Sequence, residues 1–398
     1  MRLLTLRKST ERYGAEEHVL RVAVGAAREG WEVHAAFPKT PGTESMIRDC
    51  SANAVSFHPF SYFNPERRSF WSRNVLARGF TALHAGYRMS RLIWSVRPDV
   101  IQLTVGWGFE TPQLVIVCAL MQIPTMVVFQ TAPAPISTRT LNAWAYVWAR
   151  KRGQCWVAVS HHNRKSICDS LDWAPDAVRV IHNGTELESS LSLCSDQESD
   201  QIRREVRAEL RIPPEAKLLL TVGRLEQEKG FLDLLAAVPT LVRNNREIRF
   251  VWVGDGGLKD LLTKRIRAEG LDNLVLLTGY RSDVLRLMKA ADLLVVASRF
   301  EGGCSSVIRE AMVLCLPIVA TDAGGIPEVV EHQTHGFLYP VGDTGAMIES
   351  IEWSLGHGKE MKLMAIEAKK RISSFSANRM VEDYLAAFRT IAETPGLA

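Results

Sequence analysis

Three short segments combine cations, carboxylates and glycines in a pattern suited to gripping a phosphorylated ligand. In Gly223-Arg224-Leu225-Glu226-Gln227-Glu228-Lys229-Gly230, Arg224 offers a planar fork of donors and Lys229 a mobile point charge, a pair that suits a diphosphate. The second segment runs from Ser298 through Glu301, Gly302, Gly303, Ser305 and Ser306 to Glu310 and Met312. Its glycines and serines open a helix whose first N–H groups lack internal partners, so Ser305 and Ser306 begin an anion site made of backbone. Glu310, a turn or more into that helix, is placed to accept hydrogen bonds from ribose hydroxyls, and Glu301 in the loop before it to face a sugar. The third segment, Thr321-Asp322-Ala323-Gly324-Gly325-Ile326-Pro327-Glu328, has a glycine pair that lets backbone approach a ligand closely. Taken singly, each also reads as a solvated loop, a surface carboxylate or a plain turn. Their combination points to one site.

All three segments follow apolar, β-type runs, and the chain as a whole alternates such runs with amphipathic helical stretches. That is the pattern of parallel βαβ units, so the expected fold class is α/β, doubly wound. Strands are expected at Leu3–Leu6, Glu32–Ala36, Asp99–Leu103, Thr125–Phe129, Trp156–Val159 and Val178–Ile181. In the second half they are expected at Leu218–Val222, Ile248–Val253, Val275–Leu277, Leu293–Ala297 and Ile318–Ala320. The stretch ELESSLSLCSDQESD has few apolar groups to bury and reads as a linker. Four parts follow: a Rossmann-like domain over 1–185, a linker over 186–205, a second Rossmann-like domain over 206–371, and a final helix over 372–398 that crosses back to the first domain. Open sheets of this kind bind ligands outside their strand C-termini, where the loops of the two domains would face a central cleft.

A length of 398 residues, 46% hydrophobic and 23% charged, fits a soluble two-domain protein. The seven cysteines form no C-x-x-C pair and read as reduced core thiols. The N-terminus lacks a secretory h-region, and Gln122 and Pro124 divide the longest apolar stretch, Leu114–Phe129, into a buried helix and a strand. A cytoplasmic protein is expected. The net charge of +4 is unevenly spread: residues 1–185 hold 22 Lys and Arg against 13 Asp and Glu. VGDGGL is not a G-x-G-x-x-G fingerprint and none follows the first strand, which argues against a dinucleotide oxidoreductase.

Through GRLEQEKG, VGDGG, EGGCSSVIREAM and ATDAGGIPE followed by HGFLYP, the C-terminal half resembles the family 4 retaining glycosyltransferases, also called glycosyl transferases group 1, which have the GT-B fold. The resemblance implies that Arg224 and Lys229 hold the diphosphate of a nucleotide-sugar donor, that Glu310 binds its ribose, and that Ser305 and Ser306 give N–H groups to its phosphates. Glu301 would lie beside the transferred sugar. In the N-terminal half YGAEEHVLRVAVGAAREGWEVHAAF looks like the family's first glycine-rich loop, helix and strand, which implies Gly14 near the diphosphate and acceptor. Two departures stand out. Glu301 and Glu310 have eight residues between them where the family usually has seven, and Gln130 stands where many members have a His that touches the donor sugar. Gln hydrogen-bonds a hydroxyl but carries no proton. Glu301 and Gln130 are thus the catalytic candidates. The resemblance implies transfer of a hexose with retention and with neither metal nor cofactor, the nucleotide sugar being a co-substrate. No protein nucleophile is evident, so departure and attack would share one face of the sugar.

Residues 66–97 carry seven Arg, one Glu and no Lys among Phe70, Trp71, Phe80, Tyr87 and Trp94, and Arg150-Lys151-Arg152 closes a segment with Trp144, Tyr146 and Trp148. Basic helices with aromatic faces suit an anionic membrane surface, which would make the acceptor a lipid-linked or membrane-bound glycan. A core role for the aromatics, with merely solvated arginines, is the plainer alternative. No nucleic-acid motif accompanies the charge. His161 and His162 read as residues of a helix start. Two other functions fit the same residues: a non-catalytic nucleotide-sugar-binding protein and a sugar-nucleotide epimerase of similar fold.

Overall fold

A helix that carries the chain from one strand to the next returns it to the same end of the sheet, so strands joined this way can pair only in parallel. The computed structural model describes residues 1–12, 14–60, 75–106, 110–132, 141–188 and 195–393, with the side chains of 75–82 and 141–142 outside the description. It contains two sheets, and every strand pair in both is parallel. The first holds β1 (Arg2–Arg7), β2 (Glu32–Phe37), β3 (Val55–Pro59), β4 (Val100–Val105), β5 (Thr125–Phe129), β6 (Cys155–Ala158) and β7 (Arg179–Val180), in the order β3-β2-β1-β4-β5-β6-β7. Its helices are α1 (Gly14–Arg28), α2 (Glu44–Ala52), α3 (Val75–Val96), α4 (Pro112–Leu120), α5 (Leu141–Arg150) and α6 (His161–Leu171).

The next elements are α7 (Asp196–Glu209), β8 (Lys217–Val222), α8 (Phe231–Asn244), β9 (Ile248–Val253), α9 (Lys259–Ala268), β10 (Val275–Gly279) and α10 (Val284–Ala290). They are followed by β11 (Leu293–Val296), α11 (Ser306–Val313), β12 (Ile318–Thr321), α12 (Ile326–Val329), β13 (Phe337–Tyr339), α13 (Thr344–Gly356), α14 (Gly358–Ile372) and, last, α15 (Ala377–Glu393). The second sheet runs β10-β9-β8-β11-β12-β13. The chain divides into two compact units, Met1–Gly184 with Ala377–Ala398, and Thr185–Ser376.

Each sheet is buried on both faces, which is why its strands read as unbroken apolar runs. In the first unit Met89, Ile93, Leu114, Cys118 and Tyr146 of α3, α4 and α5 cover one face, and α1, α2 and α15 cover the other with Val22, Met46, Tyr384 and Phe388. In the second, α7, α10, α11 and α14 lie on one face and α8, α9 and α13 on the other.

Two expectations change. The stretch expected to be a linker contains most of α7. Ser195 and Glu198 form a capping box, with Ser195 N donating to Glu198 Oε2 (2.8 Å) and Glu198 N to Ser195 Oγ (3.3 Å). Few apolar residues are needed to hold this helix, because Val206 enters the core and Arg203 and Arg207 reach Asp292 (2.8 and 3.3 Å) and the carbonyl of Ala290. The strands β3 and β13 were not expected. Both lie at sheet edges, where a short run with a proline or few residues suffices.

The C-terminal helix is seated on α1 through Gly25, where any Cβ would overlap Val381. Gly25→Val should therefore lower stability by about 1–3 kcal/mol through overpacking, and amide exchange in α15 should accelerate more than in β1. Unchanged exchange in α15 would show that this contact does not hold the helix.

Candidate functional site

In the second sheet the strand order reverses between β8 and β11: the chain leaves β8 toward β9 and leaves β11 toward β12. The two outgoing loops diverge there, and a crevice opens over the strand C-termini, the usual ligand position in open α/β sheets. Lys229 and Glu301 come from these two loops and meet across the switch point, Lys229 Nζ lying 2.5 Å from Glu301 Oε1. Ser298 Oγ donates to the same oxygen (2.8 Å), which fixes the carboxylate at the mouth of β11. Arg224, also in the loop after β8, pairs instead with Glu228 at 2.7 Å.

These loops are held by backbone rather than by side chains. Gly230, at φ +69°, packs so closely on the carbonyl of Ala297 that a Cβ would overlap it, and Gly324, at φ +55°, does the same against the carbonyl of Glu301. Gly254 abuts the carbonyl of Gly223 and Gly256 that of Leu225, so the loops after β8 and β9 are locked in the same way. Hydrogen bonds complete the seams. Arg299 N donates to the carbonyl of Glu228 (2.8 Å), Leu225 N to that of Asp255 (2.9 Å), and Thr321 Oγ1 to that of Ser298 (2.7 Å). The Arg299 guanidinium grips Asp233 with two bonds of 2.7 and 2.6 Å, and this carboxylate raises the arginine's pKa above its ordinary value.

Ser305 is the N-cap of α11 and Ser306 its first residue, and the Ser305 side chain makes no capping bond. The N–H groups of the first turn thus take no cap from this side chain, and the positive end of the helix lies behind them. Glu310 follows one turn on, half-buried, on the same helix. Between Glu301 and α11 the chain is non-helical, and Gly302 and Gly303 are both buried there. Burial pushes the Cys304 thiol in that segment up to about 12.

The other two candidates belong to the first unit. Gly14 is the first residue of α1 and exposed, while the Tyr13 that precedes it lies outside the described residues. Gln130 is buried at the end of β5, where its N–H donates to the carbonyl of Val105 (3.0 Å) and its Oε1 accepts from Asn183 Nδ2 (3.1 Å). His161 and His162 open α6, whose N-cap Ser160 accepts from Asn163 N (2.9 Å). Sequence reasoning missed Asp233, and it quoted Ser298, Arg299 and Thr321 without giving them a task. An acidic residue in the first turn of a helix is too common to stand out, and only the fold pairs it with Arg299.

A charged cleft end of this kind gathers two cations, a helix N-terminus and a fixed carboxylate within one unit, which is what a ligand with a diphosphate and a sugar requires. Two family models match the chain, Glycosyltransferase Family 4 over residues 13–189 and Glycosyl transferases group 1 over residues 202–371. The chain belongs to the group 1 glycosyltransferases. Of the curated members of this group, the alpha-D-kanosaminyltransferase of Streptomyces kanamyceticus is 34% identical over 181 residues, 44% of this chain and 47% of that one. The UDP-Gal:alpha-D-GlcNAc-diphosphoundecaprenol alpha-1,3-galactosyltransferase of Escherichia coli is 27% identical over 219 residues, 54% of each chain. The chain thus spans about half the length of the curated relatives it matches. The group's fold extends over the whole: HepE of Anabaena, solved in complex with UDP, superposes with a TM-score of 0.79 at 21% identity, covering 98% of this chain and 100% of that one. The two sheets are those of the GT-B fold.

Two outcomes follow from the seams of this site. Gly324→Ala should cost about 1–3 kcal/mol, because Ala disfavours the left-handed backbone and its methyl collides with the carbonyl of Glu301; a denaturation midpoint equal to wild type would refute the close approach. At neutral pH the Cys304 thiol should resist alkylation in the folded protein and react on unfolding, as mass spectrometry of labelled peptides would read. Labelling of the folded chain at the unfolded rate would contradict the raised pKa of this half-buried thiol.

Proposed function

We propose that the protein transfers a hexose from a nucleotide-diphosphate sugar to a glycan or lipid-linked acceptor, with retention of anomeric configuration and without a metal. The observation that carries this reading is the Lys229–Glu301 contact across the switch point, beside the N-terminus of α11. The contact joins a cation and a carboxylate from the two loops that diverge at the switch point, which supports a reading in which Lys229 takes the diphosphate and Glu301 faces the sugar. The Escherichia coli relative, a galactosyltransferase that uses UDP-Gal and a GlcNAc-diphosphoundecaprenol acceptor, supports both halves of the proposal, and the UDP bound to HepE supports the donor.

In the proposed complex Arg224, Lys229 and the first N–H groups of α11, at Ser306 and beyond, take the diphosphate, and Glu310 takes the ribose. Gly14 leaves room for phosphate or acceptor at the start of α1. When the bond from the anomeric carbon to the β-phosphate oxygen breaks, negative charge grows on that oxygen. The two cations and the helix end stabilise it, the task a metal performs elsewhere. Glu301 holds the sugar through its hydroxyls, and Gln130 adds a hydrogen bond but no proton. The acceptor hydroxyl attacks from the face that the leaving group vacates and gives its proton to the departing phosphate oxygen, which balances the charge without a protein base. Lys229 must loosen its grip on Glu301 to reach phosphate, so the donor replaces one anionic partner with another. Among the described residues no helix is long and apolar enough to cross a membrane. We place the enzyme in the cytoplasm, with the basic segment 66–97 toward an anionic membrane surface.

The test is a panel of UDP-, GDP- and ADP-sugars with membrane extract as acceptor, read as nucleotide binding, release of free nucleoside diphosphate and product anomer, with and without a chelator. One donor should bind and turn over in chelator and give a retained product. Glu310→Ala should weaken its binding about tenfold or more, the loss of a charge-assisted hydrogen bond. Glu301→Gln should leave nucleoside diphosphate binding intact or tighter, since Lys229 loses its competitor, while turnover falls about 100-fold. Binding without release would leave a nucleotide-sugar-binding protein, and conversion of the sugar without an acceptor an epimerase.

A further inference from the structure

The helices on the two faces of the first sheet differ in charge. On one face acids and bases are mixed: α1 carries Glu16 and Glu17 with Arg21 and Arg28, α2 carries Glu44 and Asp49 with Arg48, and α15 carries Glu382, Asp383 and Glu393 with Arg379 and Arg389. On the other, α3, α4 and α5 contain no Asp or Glu, while Arg78, Arg88, Arg91 and Arg150 lie within α3 and α5, and Arg97, Lys151 and Arg152 just beyond their ends. The three helices are neighbours, α3 packing on α4 and α4 on α5.

Their outer surface is also where large apolar side chains meet water. Leu83 (75% exposed), Tyr87 (61%) and Trp94 (76%) project from α3, Leu120 (63%) from α4 and Trp144 (60%) from α5. At about 100° per residue, Leu83, Tyr87 and Trp94 fall within about 40° of one another around α3, about 100–140° away from Met89 and Ile93 in the core. Arg91 lies beside that stripe. Trp144 stacks on Trp148 with ring centroids 6.3 Å apart, and the Arg152 guanidinium lies 4.1 Å from the centre of the Trp148 ring. Of the aromatics that the sequence suggested for a membrane face, Tyr146 is instead fully buried, and Phe70 and Trp71 lie outside the described residues.

We propose that the outer face of α3, α4 and α5 docks on an anionic lipid bilayer, with Tyr87, Trp94, Leu120 and Trp144 entering the headgroup layer and Arg91, Lys151 and Arg152 meeting its phosphates. Exposed Trp and Tyr set among arginines, with no carboxylate on three adjoining helices, match both the polarity and the charge of such a surface. A second copy of the chain is a poor occupant, because a two-fold contact would press this acid-free basic face against itself. The inference deepens the membrane partner named above by fixing which side chains touch lipid.

The experiment is flotation of the purified full chain with phosphatidylcholine vesicles, with and without phosphatidylglycerol, at low and high salt and without any sugar nucleotide. Failure here would leave the transfer reading standing. The protein should float with anionic vesicles and much less with neutral ones or at high salt. The double variant Trp94→Ala, Trp144→Ala should reduce partitioning about tenfold through lost apolar insertion, and Arg91→Ala about fivefold, the share of one basic residue. Lys362→Glu, on α14 of the second unit, should change nothing. Because the three substituted residues are exposed, melting temperatures should not move, which separates lost binding from lost folding. Equal partitioning of all variants, or no preference for anionic vesicles, would overturn the proposal. So would a wild-type dimer in size-exclusion chromatography that the tryptophan variant converts to monomer.

Discussion

Where the loops after β8, β9, β11 and β12 converge, main chain presses on main chain, and only residues without a Cβ fit between. Gly230 lies on Ala297, Gly254 on Gly223, Gly256 on Leu225 and Gly324 on Glu301. Loops are ordinarily the mobile part of a domain. Here each outgoing loop is wedged against the end of a neighbouring strand, so the side chains it carries inherit the rigidity of the sheet. Arg224, Lys229 and Glu301 sit one or two residues from such a wedge. A polar constellation is useful to chemistry only when its geometry is fixed in advance, and these glycines fix it without spending a side chain on the task.

The charges of the site are balanced before any ligand arrives. Lys229 is held by Glu301, Arg224 by Glu228 and Arg299 by Asp233. The first two cations are partly exposed, so an incoming anion can exchange with their carboxylate partners. The third is different: its fork is matched to Asp233 by two short bonds, and its backbone N–H is tied to Glu228, which makes it part of the frame. Chemically similar cations in these loops thus divide into two whose partners an anion can replace and one that ties the loops together.

Much of this was legible in the sequence. Buried parallel strands are long apolar runs, and eleven of the thirteen among the described residues were found from that signal alone; the glycine-flanked cations after β8 and the Gly-Ser opening of α11 marked the two segments that meet at the switch point, because special backbone requires special residues. What escaped did so for physical reasons. Edge strands such as β3 and β13 need little apolar surface, and a helix as polar as α7 is held by a cap and by arginines whose partner, Asp292, lies far along the chain. Tyr146 and Trp144 are two residues apart with opposite fates, because a helix turns about 200° in two residues and the core lies on one side only. Pairings across long sequence separation, Asp233 with Arg299 or Asn183 with Gln130, leave no local signature.

Because α15 follows the second unit in sequence yet supplies Met380, Tyr384, Leu385 and Phe388 to the core of the first, the first unit is interrupted by a complete domain. During synthesis the second unit can close on itself as soon as Ser376 has emerged, while the first must wait, one face of its sheet still lacking a helix, until α15 is out of the ribosome. The half made first is therefore the half finished last. In the interval the parts of α1 and β4 on which α15 packs face solvent, and it is over this span that chaperones have most to protect.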